Sequence, residues 1–476
     1  EVISLEGTTA PISKLTANQN YEVSLNLVHE HASATVNGTI EKPLDATGIN
    51  LQTRLKIDEL ADLLGLENVT RDLGDPLVLD TRVLGSLQEI EVKDIKIDNS
   101  AIKLNGKAML KLSQSIPEIS FNIASEHFRL DSILPETEPS IDEREGRLFS
   151  STPFTINEIP KVLVKGKVNL AEISYKNYKI TGTTGEIRGE NSLFLVENVS
   201  GSLAGGQFDL SATANLQTPK TPNVKVKAQA SQLNLAQLTL EDGSQIGHSG
   251  VVDFSIESQG SGDSLAAIMA KSNGSIAVDL HDARLHEQAS KITGGGLLLT
   301  ILNGLNPLSK DSAAHIECAS IRFPVRNGIA TSETGIGIRT PQLNILGGGE
   351  INFASEEISF KAKPKPRKGI GLNVASLADF VGIGGTLMNP APATDAKGLA
   401  SAGVKIGAAL ATGGISLLAE GLFDRASSDV DVCAVARGET QISKDNATPG
   451  AIEVKEQAPP TTGGKIKGVL KGIFGK

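Results

Sequence analysis

Residues 201–216 read GSLAGGQFDLSATANL. After the glycine pair the stretch alternates strictly. Phe208, Leu210, Ala212, Ala214 and Leu216 fall on one side, and Gln207, Asp209, Ser211, Thr213 and Asn215 on the other. A period of two is the signature of a β-strand with one apolar and one polar face. The apolar face either closes over a protein core or lines a surface that an apolar ligand touches.

The same alternation recurs along the chain. Tyr21, Val23, Leu25 and Leu27 share a face, as do Ala34, Val36, Gly38 and Ile40, then Ile49, Leu51, Leu55 and Ile57. Ile102, Leu104, Gly106, Ala108, Leu110 and Leu112 form a longer run, followed by Val162, Val164, Gly166, Val168 and Leu170, and by Val224, Val226, Ala228 and Ala230. One wet face per strand implies an antiparallel sheet rather than a parallel one buried on both sides. Asn37-Gly38 and Asn105-Gly106 fall inside these runs, where a bulge and a turn are both open readings.

A longer period overlies the alternation. INLQTRLKIDELADLL (49–64), ISFNIASEHFRLDSIL (119–134) and VKVKAQASQLNLAQL (224–238) each read as a strand, a polar link and a short apolar helix. Such degenerate repeats build one extended sheet by adding similar units. The expectation is a mainly β fold: an elongated, curled antiparallel sheet with an apolar groove and short helices at its ends. Helices are expected near 58–64, 130–134, 263–272 and 399–423, with Asp263 or Ser264 capping the third. The run at 399–423 is apolar and rich in Gly and Ala but contains Lys405 and Glu420. It reads as packed terminal helices, with membrane contact as the alternative. The pattern divides the chain into a repetitive β region (1–261), a second region ending in apolar helices (262–438), a linker (439–464) and a basic amphipathic tail (465–476). In the tail Ile466, Leu470, Ile473 and Phe474 share a helical face beside Lys465, Lys467 and Lys471, a pattern suited to a membrane surface.

Composition narrows the function. The 476 residues carry a net charge of −10, which disfavours nucleic-acid binding. Aromatics are 3% of the chain, with no Trp, sparse for an enzyme pocket. Cys318 and Cys433 are too few for a disulfide scaffold or a cysteine metal cluster. They are two separate buried thiols, the commoner case, or one long-range disulfide. His281 with His286, His29 with His31, and His315 near Cys318 lack the ligand sets of a metal site and read as solvent-facing. The glycine clusters at 294–296 and 347–349 lack the lysine of a phosphate loop, and no GxSxG occurs. KAKPKPRKG (361–369) is basic enough to meet anionic headgroups but reads first as a solvated loop. Glu356 and Glu357 would diverge in a strand, and no acid–base pair stands out. No catalytic residue, metal or cofactor is expected.

Order of elements carries a resemblance. DSLAAIMAKSNGSIAVDL (263–280), IRFPVRNGIA (321–330), TGIGIRTPQLNILGGGEINFASEEISF (334–360), GTLMNP (385–390) and the small-residue run before Cys433 resemble, in this order, the C-terminal region of the AsmA family of Gram-negative envelope proteins. SLFLVENVSGSLAGGQFDLSATANL (192–216) is similar to its recurring strand with a glycine pair. The resemblance covers roughly 190–435, and 1–190 only in repeat style. It implies a C-terminal fragment of a periplasmic protein whose full-length form is anchored in the inner membrane by an N-terminal helix. It implies a lipid-carrying groove, with phospholipid acyl chains, a membrane surface and inner- or outer-membrane envelope proteins as partners. Ile102, Leu104, Leu110, Val162, Val164, Phe208, Leu210, Ala212, Ala214, Val224 and Val226 are then the groove candidates. The alternative is a non-enzymatic assembly factor for outer-membrane proteins.

Overall fold

The computed structural model describes residues 4–29, 31–58, 76–132, 146–154, 161–175, 178–238, 249–286, 313–367, 381–393 and 430–439. Strands dominate. The first eight are β1 (Ser4–Thr9), β2 (Tyr21–His29), β3 (Ala32–Lys42), β4 (Thr47–Ile57), β5 (Leu77–Ser86), β6 (Glu89–Asp98), β7 (Ile102–Lys111) and β8 (Glu118–Arg129). Next come β9 (Leu163–Tyr175), β10 (Tyr178–Glu190), β11 (Leu193–Leu203), β12 (Gly206–Asn215), β13 (Asn223–Asn234), β14 (Ser249–Ser261) and β15 (Asn273–His286). The series ends with β16 (Ala313–Arg326), β17 (Ile329–Arg339), β18 (Leu343–Asn352), β19 (Glu357–Pro366), β20 (Val381–Gly385) and β21 (Pro390–Ala393). Each pairs with its neighbours in sequence, giving one open sheet of 21 strands that does not close into a barrel. The opening stretch forms the turn and second arm of the β11–β12 hairpin. Ala204 and Gly205 both take positive φ, 49° and 77°, as a two-residue turn that follows strand twist requires.

The expected antiparallel order holds at every junction but one. β8 and β9 run parallel, with Glu118 opposite Leu163 and Phe128 opposite Ile173. A parallel pair cannot be joined by a tight turn, so the chain crosses over between them. Asn37-Gly38 and Asn105-Gly106 are neither turns nor bulges: both lie in regular pairing, Gly38 with Val23 and Leu51, Gly106 with Ile95 and Ile123. Three of the sheet's several register shifts place a polar residue, Asp94, Asn198 or Gln232, in left-handed backbone as a bulge. An extra residue on one strand raises local twist and bends it. The basic stretch 361–369 was expected as a loop, yet 357–366 is β19. Its prolines are tolerated because β20 pairs only with Phe360–Ala362, so that among the described residues no strand pairs with Pro364 or Pro366 on that side.

Helices are few and short. α1 (Ile12–Thr16) was not expected. α2 (Leu265–Met269) lies inside the expected 263–272, and Ser264 caps it by accepting from the Ala267 N–H. The apolar end of the third repeat is a single 3-10 turn, Leu235–Gln237, capped by Asn234. Residues 130–132 form a turn. The rest of 130–134, nearly all of 58–64, and 399–423 lie outside the described residues. α3 (Val432–Arg437) is capped by the Asp431 carboxylate and stopped by Gly438 in left-handed backbone.

The core is concentrated at one end. Leu280, Phe323, Ile338, Ile345, Ile358 and Phe360 belong to one buried cluster on β15–β20. The Phe323 and Phe360 rings meet edge-on with centroids 5.7 Å apart. Strands β16 and β19 have two strands between them, about 14 Å at ordinary strand spacing, so the sheet curls here with its apolar face inward. α3 covers the opposite face, where Val432, Cys433, Val435 and Leu346 form a second cluster. Cys318 and Cys433 are joined by a disulfide spanning 115 residues, so they are not the separate thiols favoured above. A third, small cluster contains Ile57, Leu77, Ala101 and Ile102.

Candidate functional site

Strand pairing aligns the alternating residues into rows that run across the sheet. One row passes from Tyr21 through Ile40, Ile49, Gly85, Ile90 and Leu110 to Ile119. It continues through Val164, Gly189, Phe194, Ala214 and Val224 to Gly260. Every member from β2 to β14 is apolar, aromatic or glycine. A second row beside it runs Val23, Gly38, Leu51, Val83, Val92, Ala108, Phe121, Gly166, Ile187, Val196, Ala212 and Val226. Most of these side chains are half-buried. They shield one another within a single sheet, and no second sheet lies over them among the described residues.

The structure therefore brings ten of the eleven groove candidates onto one face. Leu110, Val164, Ala214 and Val224 stand in the first row and Ala212 and Val226 in the second. Leu210 lies between Val199 and Ala228, and Phe208 between Gly201 and Ala230. Leu104 faces Ile97 and Ser125. Ile102 shares the face but belongs to a closed cluster and is only 8% exposed. Val162 precedes β9 and has no strand partner. The tail candidates Lys465, Ile466, Lys467, Leu470, Lys471, Ile473 and Phe474 lie outside the described residues.

Phenylalanine–glycine pairs across strands are a feature that sequence reading missed. Phe121 faces Gly166, Phe194 faces Gly189 and Phe208 faces Gly201. A Cβ at Gly189 would lie 2.9 Å from the Phe194 ring and one at Gly201 2.8 Å from Phe208, while one at Gly166 would overlap the end of the Phe121 ring. Each ring fills the space that a side chain on the adjacent strand's glycine would take. The floor is thereby smoothed, and the glycine backbone is covered. The signal was present as glycines inside alternating runs, but the partners are not adjacent in sequence.

The polar face carries cross-strand ion pairs: Arg54–Asp80 at 2.7 Å, Lys165–Glu118 at 3.2 Å, Lys167–Glu186 at 3.4 Å and Lys225–Glu257 at 3.2 Å. Hydrogen bonds from Arg54 hold the Asp80 carboxyl below its usual range, and those from Arg188 and Lys167 do the same for Glu186. Lys361, Lys363 and Lys365 of β19 stand opposite the buried Phe360, Ala362 and Pro364.

Among the described residues the histidines do not assemble into a ligand set. His281 pairs with Asp253 at 3.2 Å and His315 with Asp282 at 2.9 Å. The rings of His29 and His31 are 6.2 Å apart. Among the described residues, the one group with metal-ligand spacing is Cys318, Asp431 and Cys433, and there the two sulfurs are bonded to each other. Glu356 and Glu357 do diverge. Glu357 opens β19, whereas Glu356 is 1% exposed on the preceding turn and accepts the N–H groups of Leu148 and Phe149.

A long meander with a continuous apolar floor is the architecture that the family resemblance implied. Residues 155–334 match the AsmA family. The AsmA family protein YhjG of Escherichia coli (strain K12) is 22% identical to the chain over 464 residues. That alignment takes in 91% of this chain and 62% of YhjG, so the chain spans under two thirds of its relative's length. No solved structure matches. The AsmA resemblance is thus shown, and it points to a role associated with the Gram-negative envelope. No described helix is long and apolar enough to cross a membrane.

Proposed function

We propose that the chain is a non-enzymatic groove for phospholipid movement between the inner and outer membranes, supporting outer-membrane biogenesis. The observation that carries this reading is the pair of apolar rows that run unbroken from β2 to β13 and stay largely half-buried, with no covering layer among the described residues. A closed core fills with large side chains at high density, as β15–β20 do. The floor over β12–β13 instead carries Ala212, Ala214, Ala228 and Ala230 between its larger residues. Acyl chains would slide along it while headgroups stay in water at the rim. Each CH₂ taken from water contributes about 0.8 kcal/mol, so diffuse contacts suffice, which accords with the absence of any motif for a headgroup. The Cys318–Cys433 disulfide supports an oxidising compartment, hence the periplasm. In this reading the full-length protein is anchored in the inner membrane.

The test is lipid content by mass spectrometry of the purified chain, native and with Leu210→Asp. A conduit predicts bound phospholipid in the native chain and a folded, lipid-poor variant. A variant that melts with the native chain and still carries native lipid would sink the assignment for this strand. Ser211→Asp, on the other face, should change neither readout.

One observation favours a second reading, an assembly factor for outer-membrane proteins. β1 is exposed throughout and, among the described residues, pairs only with β2. Such an edge can accept a strand from a partner. Saturable binding of a barrel protein to lipid-free chain would support it.

A further inference from the structure

We infer that residues 146–154 form a stopper, latched by Glu356, that ends the apolar floor at β14 and excludes lipid from β15–β20. This rests on the lipid reading above. The segment belongs to the crossover between β8 and β9, which needs only to run back along the length of one strand. Instead it detours to the far end of the sheet. Leu148 and Phe149 donate their backbone N–H groups to the Glu356 carboxylate at 2.5 and 3.0 Å. The Arg147 guanidinium lies 3.5 Å from the same carboxylate and donates to the Ala354 carbonyl at 3.0 Å. A buried carboxylate is costly unless paired and hydrogen-bonded, and here a single strap supplies both its charge partner and its donors. Phe149 packs edge-on against Phe353, 6.0 Å between centroids, and against the main core.

The other end of the strap is fixed beside β14. Ala266 of α2 donates to the Ser150 carbonyl at 3.0 Å, and Phe154 donates to the Asp263 carbonyl at 2.7 Å. The strap therefore runs along the strand ends from the β18–β19 turn to α2. That is the stretch over which the floor changes character. The row containing Leu210 continues through Ala228, Ile256 and Ile276 to Phe323. It is half-buried or open as far as Ile276, whereas Phe323 is 2% exposed and wedged against Phe360. An acyl chain moving along this row meets packed aromatic rings, and a core at native density admits no guest without opening. Glu356 and Phe149 thus set where cargo stops.

The test uses the full chain with a photo-crosslinking residue at Leu210 on the open floor or at Ile321, half-buried on the core side. Each protein is incubated with vesicles of phosphatidylethanolamine and phosphatidylglycerol, irradiated, and read by mass spectrometry. The expected result is lipid adduct at Leu210 and none at Ile321. Glu356→Ala and, separately, Phe149→Ala should bring adduct to Ile321 while keeping it at Leu210. Adduct at Ile321 in the native strap overturns the inference. So does failure of both variants to gain it when hydrogen exchange shows the Leu148 and Phe149 amides freed. Should neither variant fold, Arg147→Ala, which weakens the same latch from its more exposed side, takes their place, and its failure to bring adduct to Ile321 overturns the inference. Absence of adduct at Leu210 in the native chain would instead remove the lipid reading itself.

Discussion

Gly166 illustrates how a single hydrogen can be a structural requirement. Its φ is ordinary, so an alanine would meet no backbone strain; the obstacle is the Phe121 ring lying over it from the neighbouring strand. Gly166→Ala must push that ring off the floor, which should cost about 1–3 kcal/mol as an overpacking change, read as a fall in Tm. Phe121→Leu with Gly166→Ala should recover part of the loss, because the smaller side chain vacates the space. The charged face behaves differently. Asp80 and Glu186 have carboxyls held below their usual range by Arg54 and by Arg188 with Lys167. A depressed folded pKa stabilises above the unfolded value, and that contribution is lost as pH falls through the folded pKa. The Asp80 and Glu186 side chains keep 40% and 28% of their surface in water, so screening keeps the effect small. Asp80→Asn should leave Tm at neutral pH nearly unchanged and flatten its decline in acid slightly, as a melting series across acidic pH would report. Alternation made the floor residues legible in the sequence. The rings over glycines were not legible, because Phe121 and Gly166 meet only through a parallel pairing that no local pattern encodes.

At the scale of elements, strands were legible and so was α2 with its Ser264 cap, but α1 and α3 were not. A strand of ten residues repeats its signal five times, whereas α3 has six residues and a buried run, VCAVAR, without amphipathic contrast. What places α3 is tertiary. Gly337 gives it room against β17, Arg339 donates to the Val430 carbonyl at 3.2 Å, and the disulfide ties it to β16. Breaking that tie frees a short helix that cannot persist alone. Cys433→Ser should lower stability by about 2–4 kcal/mol, the usual worth of a bridge closing a long loop. The loss should appear as early exchange of β16–β18 amides rather than of β2–β8. Another element is read from sequence alone. The basic amphipathic tail at 465–474 is proposed to fold on anionic membranes. Flotation of a peptide of this tail with anionic liposomes should weaken as salt rises. Equal flotation on neutral vesicles would remove the role of its lysines.

Across the whole molecule, a meander in which each strand touches only its neighbours behaves like a repeat array. Stability is a sum of local terms, and cooperativity is limited by how well adjacent units couple. The terms are unequal along this sheet. β16–β18 are packed on both faces, by the main core on one side and by α3 on the other. β2–β8 have one half-buried face and one in water, and β1 has all six residues exposed and, among the described residues, a strand partner on one side only. The sequence foreshadowed that the character changes past residue 262, but not that the sheet continues through the change, with β14 and β15 paired along their lengths. Alternation reports which face a residue takes and is silent on how tightly the sheet curls, which depends on bulges such as those at Asn198 and Gln232 and on rings meeting across strands. Unequal packing predicts graded unfolding. In native-state hydrogen exchange, amides of β16–β18 should be the slowest and those of β1–β3 the fastest, with β9–β13 between them. Added phospholipid should slow β9–β13 and leave β16–β18 as they were, because the first have a floor to cover and the second are already full. Uniform protection across all strands would mean that the open face is covered by something other than lipid, and that the sheet is a single cooperative core.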